Sequence, residues 1–289
     1  MSDTSDLAVP TGVTVPATAT PSARRGKASE APSERRPLTS RRSVRIVGGA
    51  LLPVAILVAW QVLSTSGLFT VAQLPTPLMV VQAGFDLADR GLLGQYIGIS
   101  TQRVLLGFAI GAGLGLLLGA LVGLGKMWDI FFGATLGAVR AVPSLAWVPL
   151  LILWMKIGEE SKITLVAIGA FFPVYTTVAA ALRHVDRQLV EAGRAFDLKG
   201  VRLFTTIQLP AVLPSVISGL RLALAQAWLF LVAAELIAAS MGLGWLLNDS
   251  ANNGRTDRLF LAIVLLAMFG KLTDTLIGLF ERWAVKRWT

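Results

Sequence analysis

Six long apolar runs dominate this chain and set what it can fold into. Residues 46–66, 104–125 and 163–182 carry no charged side chain. Residues 130–155 carry only Arg140, 215–248 carry Arg221 and Glu235, and 259–280 carry Lys271 and Asp274. A bilayer core about 30 Å thick takes roughly 20 apolar residues in helical form. Within hydrocarbon the backbone must satisfy its own hydrogen bonds, which a helix does alone. The runs lack the period-two alternation of a membrane barrel strand. The sequence is therefore read as an all-α membrane protein with six transmembrane helices.

Composition removes the other classes. Of 289 residues, 54% are hydrophobic and 15% charged, against about 25% charged in an ordinary soluble domain. There is no cysteine and one histidine, His184, so thiolate chemistry, a disulfide framework, a histidine metal site and a serine–histidine triad are all out of reach. No catalytic constellation, metal site or cofactor site is expected. The net charge of +9 does not point to nucleic acid, because the basic residues flank the apolar runs. With both termini on the inner side, and Arg103, Arg140, Arg221 and Lys271 set aside as lying at or inside spans, 17 Lys and Arg fall inside and five outside, the sense required by the positive-inside rule.

The parts follow. Residues 1–43 are rich in Pro, Ser, Thr and basic side chains and read as a disordered cytoplasmic tail. Residues 44–66 form an uncleaved first helix, and 67–99 an outer amphipathic segment. Residues 100–281 form a five-helix core that includes the cytoplasmic segment 183–214, and 282–289 a cytoplasmic end. In the outer segment Pro75 and Pro77 enforce an extended turn, after which 78–92 can be a surface helix. Glycines at 107, 111, 115, 119 and 123 recur every fourth residue, a face that lets another helix approach closely in lipid; lining of a pathway is the alternative. Gly123-Leu124-Gly125-Lys126-Met127 ends like a phosphate-binding loop, yet lacks its first glycine and its final Ser or Thr, so ATP would have to be bound by a partner. In 130–155, Arg140, Pro143, Trp147 and Pro149 occupy one apolar block. Prolines there bend or break the helix, either as a packing kink or along a water-filled pathway.

Residues 183–214 place about thirty polar-rich residues between two spans. Val185, Leu189, Ala192 and Phe196 recur at helical spacing as one apolar stripe. Gly200 breaks the helix, 201–208 can form a second one, and Pro210 and Pro214 close the segment. The product is a bent knob suited either to a partner's groove or to lipid headgroups.

Here the residues carry a resemblance. Glu191-Ala192-Gly193 followed by Ile207, Leu209 and Pro210 resembles the E-A-A…I-x-L-P cytoplasmic signature of ABC importer permeases. The chain from about residue 70 onward is similar to the type I group that serves nitrate, sulfonate and taurine importers. The supporting pieces are Pro75-Thr76-Pro77, residues 143–150, Gly219-Leu220-Arg221, Ala234-Glu235-Leu236, Gly242-Leu243-Gly244 and Asp274. Gly193 stands where the family has its third alanine, Asp197 where it has a glycine, and Met155-Lys156 where Phe-Gly is common.

The resemblance implies a permease of the bacterial cell membrane, working as a homodimer with cytoplasmic ABC ATPase subunits and an external solute-binding protein. ATP and Mg would be held by the ATPase, none by this chain. It implies that Glu191, Ala192, Gly193, Phe196, Asp197, Gly200, Ile207, Leu209 and Pro210 couple the ATPase to the membrane helices. Arg140, Pro143, Trp147 and Glu235 are the pathway candidates, Arg140 as the cation facing an anionic solute and Glu235 as a gate or packing residue, since a carboxylate inside a span is a functional candidate by default. Lys271 and Asp274, three apart, are read as neutralising each other, and Arg221 as snorkelling to the inner surface. The competing reading is a secondary transporter or channel that needs no ATP; it gives no reason for the cytoplasmic knob.

Overall fold

The computed structural model describes residues 42–288; of the tail expected at 1–43, residues 1–41 lie outside them, and Arg42 and Ser43 already belong to the first helix. Residues 53–289 form one compact unit with its own core. Among the described residues every regular element is helical: α1 (Arg42–Thr65), α2 (Pro77–Asp89), α3 (Leu92–Leu124), α4 (Lys126–Trp128), α5 (Ala134–Ala141), α6 (Trp147–Met155), α7 (Glu159–Arg183), α8 (Arg187–Ala195), α9 (Gly200–Leu203), α10 (Leu209–Ala238), α11 (Leu243–Asn252) and α12 (Thr256–Trp288). Among the described residues, four stretches are long and apolar enough to cross a bilayer: α3, α7, the continuous run from Gly200 to Ala238, and Thr256–Ala284 within α12.

The centre of the bundle is α3 against α7 against α10. The four-residue glycine ladder of α3 lies on α7. A β-carbon at Gly111 would stand 2.2 Å from the Ala167 carbonyl oxygen, and one at Gly115 2.8 Å from that of Phe171. Each glycine is thus the width of the helix contact, and the small-residue face expected from spacing is used for backbone approach. Val166, Val174 and Val178 of α7 interlock with Ala223, Ala227 and Leu231 of α10 in one buried cluster. A second cluster joins Val80, Ala83 and Leu87 of α2 to Leu243 and Leu246 of α11 and to Leu261 and Ala262 of α12.

The prolines act in three different ways. The Pro75–Pro77 stretch does more than turn: the Thr76 hydroxyl caps α2 by accepting from the Met79 amide at 3.3 Å, with Pro77 as the first helical residue, where its missing N–H is harmless. The 130–155 block is broken, as its prolines imply. A π-turn at Asp129–Gly133, α5, an extended residue at Val142, a 3₁₀ turn at Ser144–Ala146 and α6 follow one another, because Pro143 forces its predecessor out of helical geometry. Pro210 and Pro214, expected to close the cytoplasmic segment, instead lie inside the helical run to Ala238. A π-turn at Phe204–Gln208, closed by the Leu209 amide on the Phe204 carbonyl, widens the helix just before Pro210 and lets the chain continue.

Candidate functional site

Two polar islands stand out against this apolar body. The first lies where α7 begins and α10 ends. Glu235 is 1% exposed and Arg103 3%, and the Arg103 Nη1 donates to Glu235 Oε1 at 2.7 Å and to the Met241 carbonyl at 2.7 Å. Ser100 Oγ lies 2.8 Å from Glu235 Oε1 and itself accepts from the Leu243 amide at 2.8 Å. The Gly244 amide donates to Glu235 Oε2 at 2.7 Å. Glycine is required around this carboxylate: a β-carbon at Gly242, whose φ is +127°, would fall 2.4 Å from Glu235 Oε1. The remaining donors of Arg103 turn outward. Its Nε and Nη2 reach Glu159 Oε2 and Oε1, both at 2.6 Å, and Lys162 Nζ reaches Glu159 Oε1 at 2.9 Å. One guanidinium thus ties α3, α7, α10 and the loop before α11.

The second island is the knob. Asp186 caps α8 by accepting from the Gln188 amide at 2.8 Å. Gly193 is buried, and a β-carbon there would stand 2.7 Å from a Leu203 methyl and 2.9 Å from an Ile207 methyl; α8 is pressed onto the start of the long run through its smallest residue. Asp197 adopts φ +57°, so the left-handed turn falls on Asp197 as well as on Gly200, at φ +53°. Of the apolar stripe, Leu189 is 48% exposed and Phe196 83%, whereas Val185 packs partly buried on the core cluster; Val201, on α9, is 77% exposed. Glu191 is also on the surface, 2.7 Å from Arg187 Nε. The structure thus brings Gly193, Leu203 and Ile207 together. Ala192 is exposed, and Leu209 and Pro210, partly buried, begin α10.

The pathway candidates are not gathered in one place. Arg140 and Pro143 are exposed at the end of α5. Trp147 borders a cavity of about 420 Å³ with Gly111, Leu114, Ala167, Phe171 and Phe172, and its indole N–H is buried without a partner. Glu235 is sealed in the first island. Asp274 pairs chiefly with Arg221, at 2.9 Å, and more loosely with Lys271, at 3.4 Å, so Arg221 does not reach alone for the surface but is held by Asp274 and, at 3.1 Å, by Glu281.

Comparison with known proteins decides among the classes left open by this geometry. Residues 111–286 match the model of the binding-protein-dependent transport system inner membrane component family. The chain belongs to this family. The permease is 41% identical over 238 residues to a Bacillus subtilis (strain 168) protein named as the aliphatic sulfonates transport permease SsuC, covering 82% of this chain and 86% of that one. The Escherichia coli (strain K12) protein of the same name is 42% identical, over 80% of this chain and 88% of its own. The nitrate import permease NrtB of Synechocystis is 28% identical, over 86% and 92%. In fold, the permease resembles a solved chain of the inward-facing MetNI methionine ABC transporter, with a TM-score of 0.53, 21% identity, and coverage of 74% of this chain and 98% of that one.

Sequence reasoning singled out Glu235 in this permease but missed its partners. Arg103 borders the uncharged run that starts at Val104, so it reads as a helix-end residue. Because α3 begins at Leu92, Arg103 lies a third of the way along a spanning helix, where an ionisable side chain needs a named partner. That rule, applied to a helix extended back to Gly91, would have found it.

Proposed function

We propose that the chain is the membrane-spanning permease subunit of an ATP-driven importer, carrying a small anionic solute of the sulfonate, nitrate or taurine kind. In this reading the broken α4–α6 run and α1 complete six crossings, and both termini lie on the inner side. Two copies pair, an external binding protein delivers solute, and separate ATPase subunits bind ATP and Mg. The observation that carries the reading is the knob: exposed apolar side chains at Leu189, Phe196 and Val201 on a segment rooted at Gly193 against Leu203 and Ile207. An exposed ridge with a rigid root is what a separate motor needs in order to push on the helices. Force applied at Phe196 passes through Leu203 and Ile207 into the helical run that carries Glu235 in its last turn and ends at Ala238.

The names of the similar proteins support the solute class. The test is uptake in proteoliposomes containing the permease, its ATPase and its binding protein. Glu191→Lys and Phe196→Ala are expected to abolish ATP-driven uptake while the protein still reaches the membrane and the ATPase still hydrolyses ATP. Unchanged uptake in both variants would remove the assignment of the knob.

A further inference from the structure

Glu159 differs from every other member of the Arg103 cluster. Its side chain is 58% exposed, whereas those of Arg103, Lys162 and Glu235 are 4%, 5% and 0% exposed. The two cations and the inner carboxylate are built into the body; the outer carboxylate is the replaceable member. The charges balance only with it present, because Arg103 and Lys162 face Glu235 and Glu159. A buried cation without its counter-charge is costly, so something negative must occupy the position held by Glu159.

The geometry of that position is specific. Arg103 offers Nε and Nη2 as a planar fork, each 2.6 Å from a different oxygen of one carboxylate. The same fork fits any two oxygens of a small oxyanion. A cavity of about 350 Å³ opens at this point, walled by Ile99, Leu106, Ile163 and Met241, with Gln102 and Ser240 at its polar edge. At ~30 Å³ per water it holds about a dozen water volumes, room for an oxyanion with a short organic tail against the apolar wall.

We propose that this cavity is a binding site for a small oxyanion of the sulfonate or nitrate class, and that Glu159 is its built-in competitor. An arriving anion takes the Arg103 fork and the Lys162 ammonium as Glu159 swings into solvent. When the anion leaves, the carboxylate returns, so the buried cations never stand uncompensated. The exchange conserves charge in the cluster and leaves the Arg103–Glu235 bond intact. The inference rests on the anionic-solute reading above and places one station of that solute beside the mouth of α7.

The experiment uses the full chain in lipid nanodiscs and methanesulfonate as the probe, with gluconate replacing it at equal ionic strength. Glu159→Gln removes the competitor and is expected to tighten methanesulfonate binding on the order of tenfold. Glu159→Asp, too short to span both cations, is expected to fall between wild type and Glu159→Gln. Adding Lys162→Met to Glu159→Gln is expected to reverse the gain. Unchanged affinity in Glu159→Gln and Glu159→Asp, or an equal response to gluconate, overturns the proposal. ATP-driven uptake by the wild-type importer separates the two readings. Anion uptake with no change in binding removes this site alone, whereas enhanced binding with no anion uptake removes the importer reading and leaves the site.

Discussion

The Arg103–Glu235 cluster and the α8 knob are both polar interruptions of an apolar chain, and both centre on a glutamate next to an arginine. They differ in what surrounds them. Glu235 has no exposed side-chain surface, and every one of its oxygens is taken by a donor from Arg103, Ser100 or Gly244. Glu191 is 57% exposed and its one ion pair, with Arg187, lies in solvent. A buried ion pair is weak evidence for stability, yet breaking it from one side is severe; an exposed pair is worth little either way. The first site is therefore a fastening inside the body, and the second a surface whose value depends on what docks there.

The comparison breaks most clearly at Glu235. Glu235→Ala takes the inner carboxylate from Arg103 Nη1 and from the Gly244 amide, and leaves the two buried cations with Glu159 alone. It is expected to cost about 3–5 kcal/mol, read as lost folded yield and a lowered unfolding midpoint in detergent. A loss below about 1 kcal/mol, the range of a surface pair, would mean that water reaches this pocket and that the two islands are alike.

The helix seam comes next. Gly111→Val puts a branched side chain where a β-carbon already sits 2.2 Å from the Ala167 carbonyl. Backbone cannot yield there as a side chain can, so the expected cost is about 1–3 kcal/mol or more. At Gly193 an added β-carbon meets side-chain carbons of Leu203 and Ile207, which have rotamers to use. Gly193→Ala is expected to lower the unfolding midpoint less than Gly111→Val does, and to show its own effect in uptake.

How far the sequence discloses these features depends on the range of the interaction. The glycine ladder is legible because its period of four belongs to one helix, and so is the knob's apolar stripe, for the same reason. The cap at Thr76, the π-turn before Pro210 and the break at Pro143 are local too, but there the proline signal was ambiguous. It marks a helix start at Pro77, a break at Pro143 and a tolerated interior position at Pro214, depending on how neighbouring turns widen or cap. The Arg103 cluster is the opposite case. Its members are separated by 56 and 132 residues along the chain, and no spacing rule connects them. Only the physical demand that a buried charge find a partner could have asked for Arg103 once Glu235 was noticed. Likewise, the pairing of Lys271 with Asp274 follows from helical spacing, whereas the stronger partner, Arg221, comes from another helix.

The smallest effect on stability is expected where the effect on transport is largest. Phe196 is 83% exposed and its removal opens no cavity, so Phe196→Ala should shift folding stability by no more than about 0.5 kcal/mol, the usual range for surface positions. A large aromatic side chain left in water gains nothing from the fold that exposes it; its gain has to come from burial against something else. Full burial of such a side chain is worth about 1.5–3 kcal/mol, enough to weaken ATPase docking by one to two orders of magnitude when it is lost. Measuring the unfolding midpoint and the ATPase affinity on the same variant therefore sets the two islands apart. Equal losses in both would place Phe196 inside the fold rather than on its working surface, and the distinction between fastening and handle would fail at its most exposed residue.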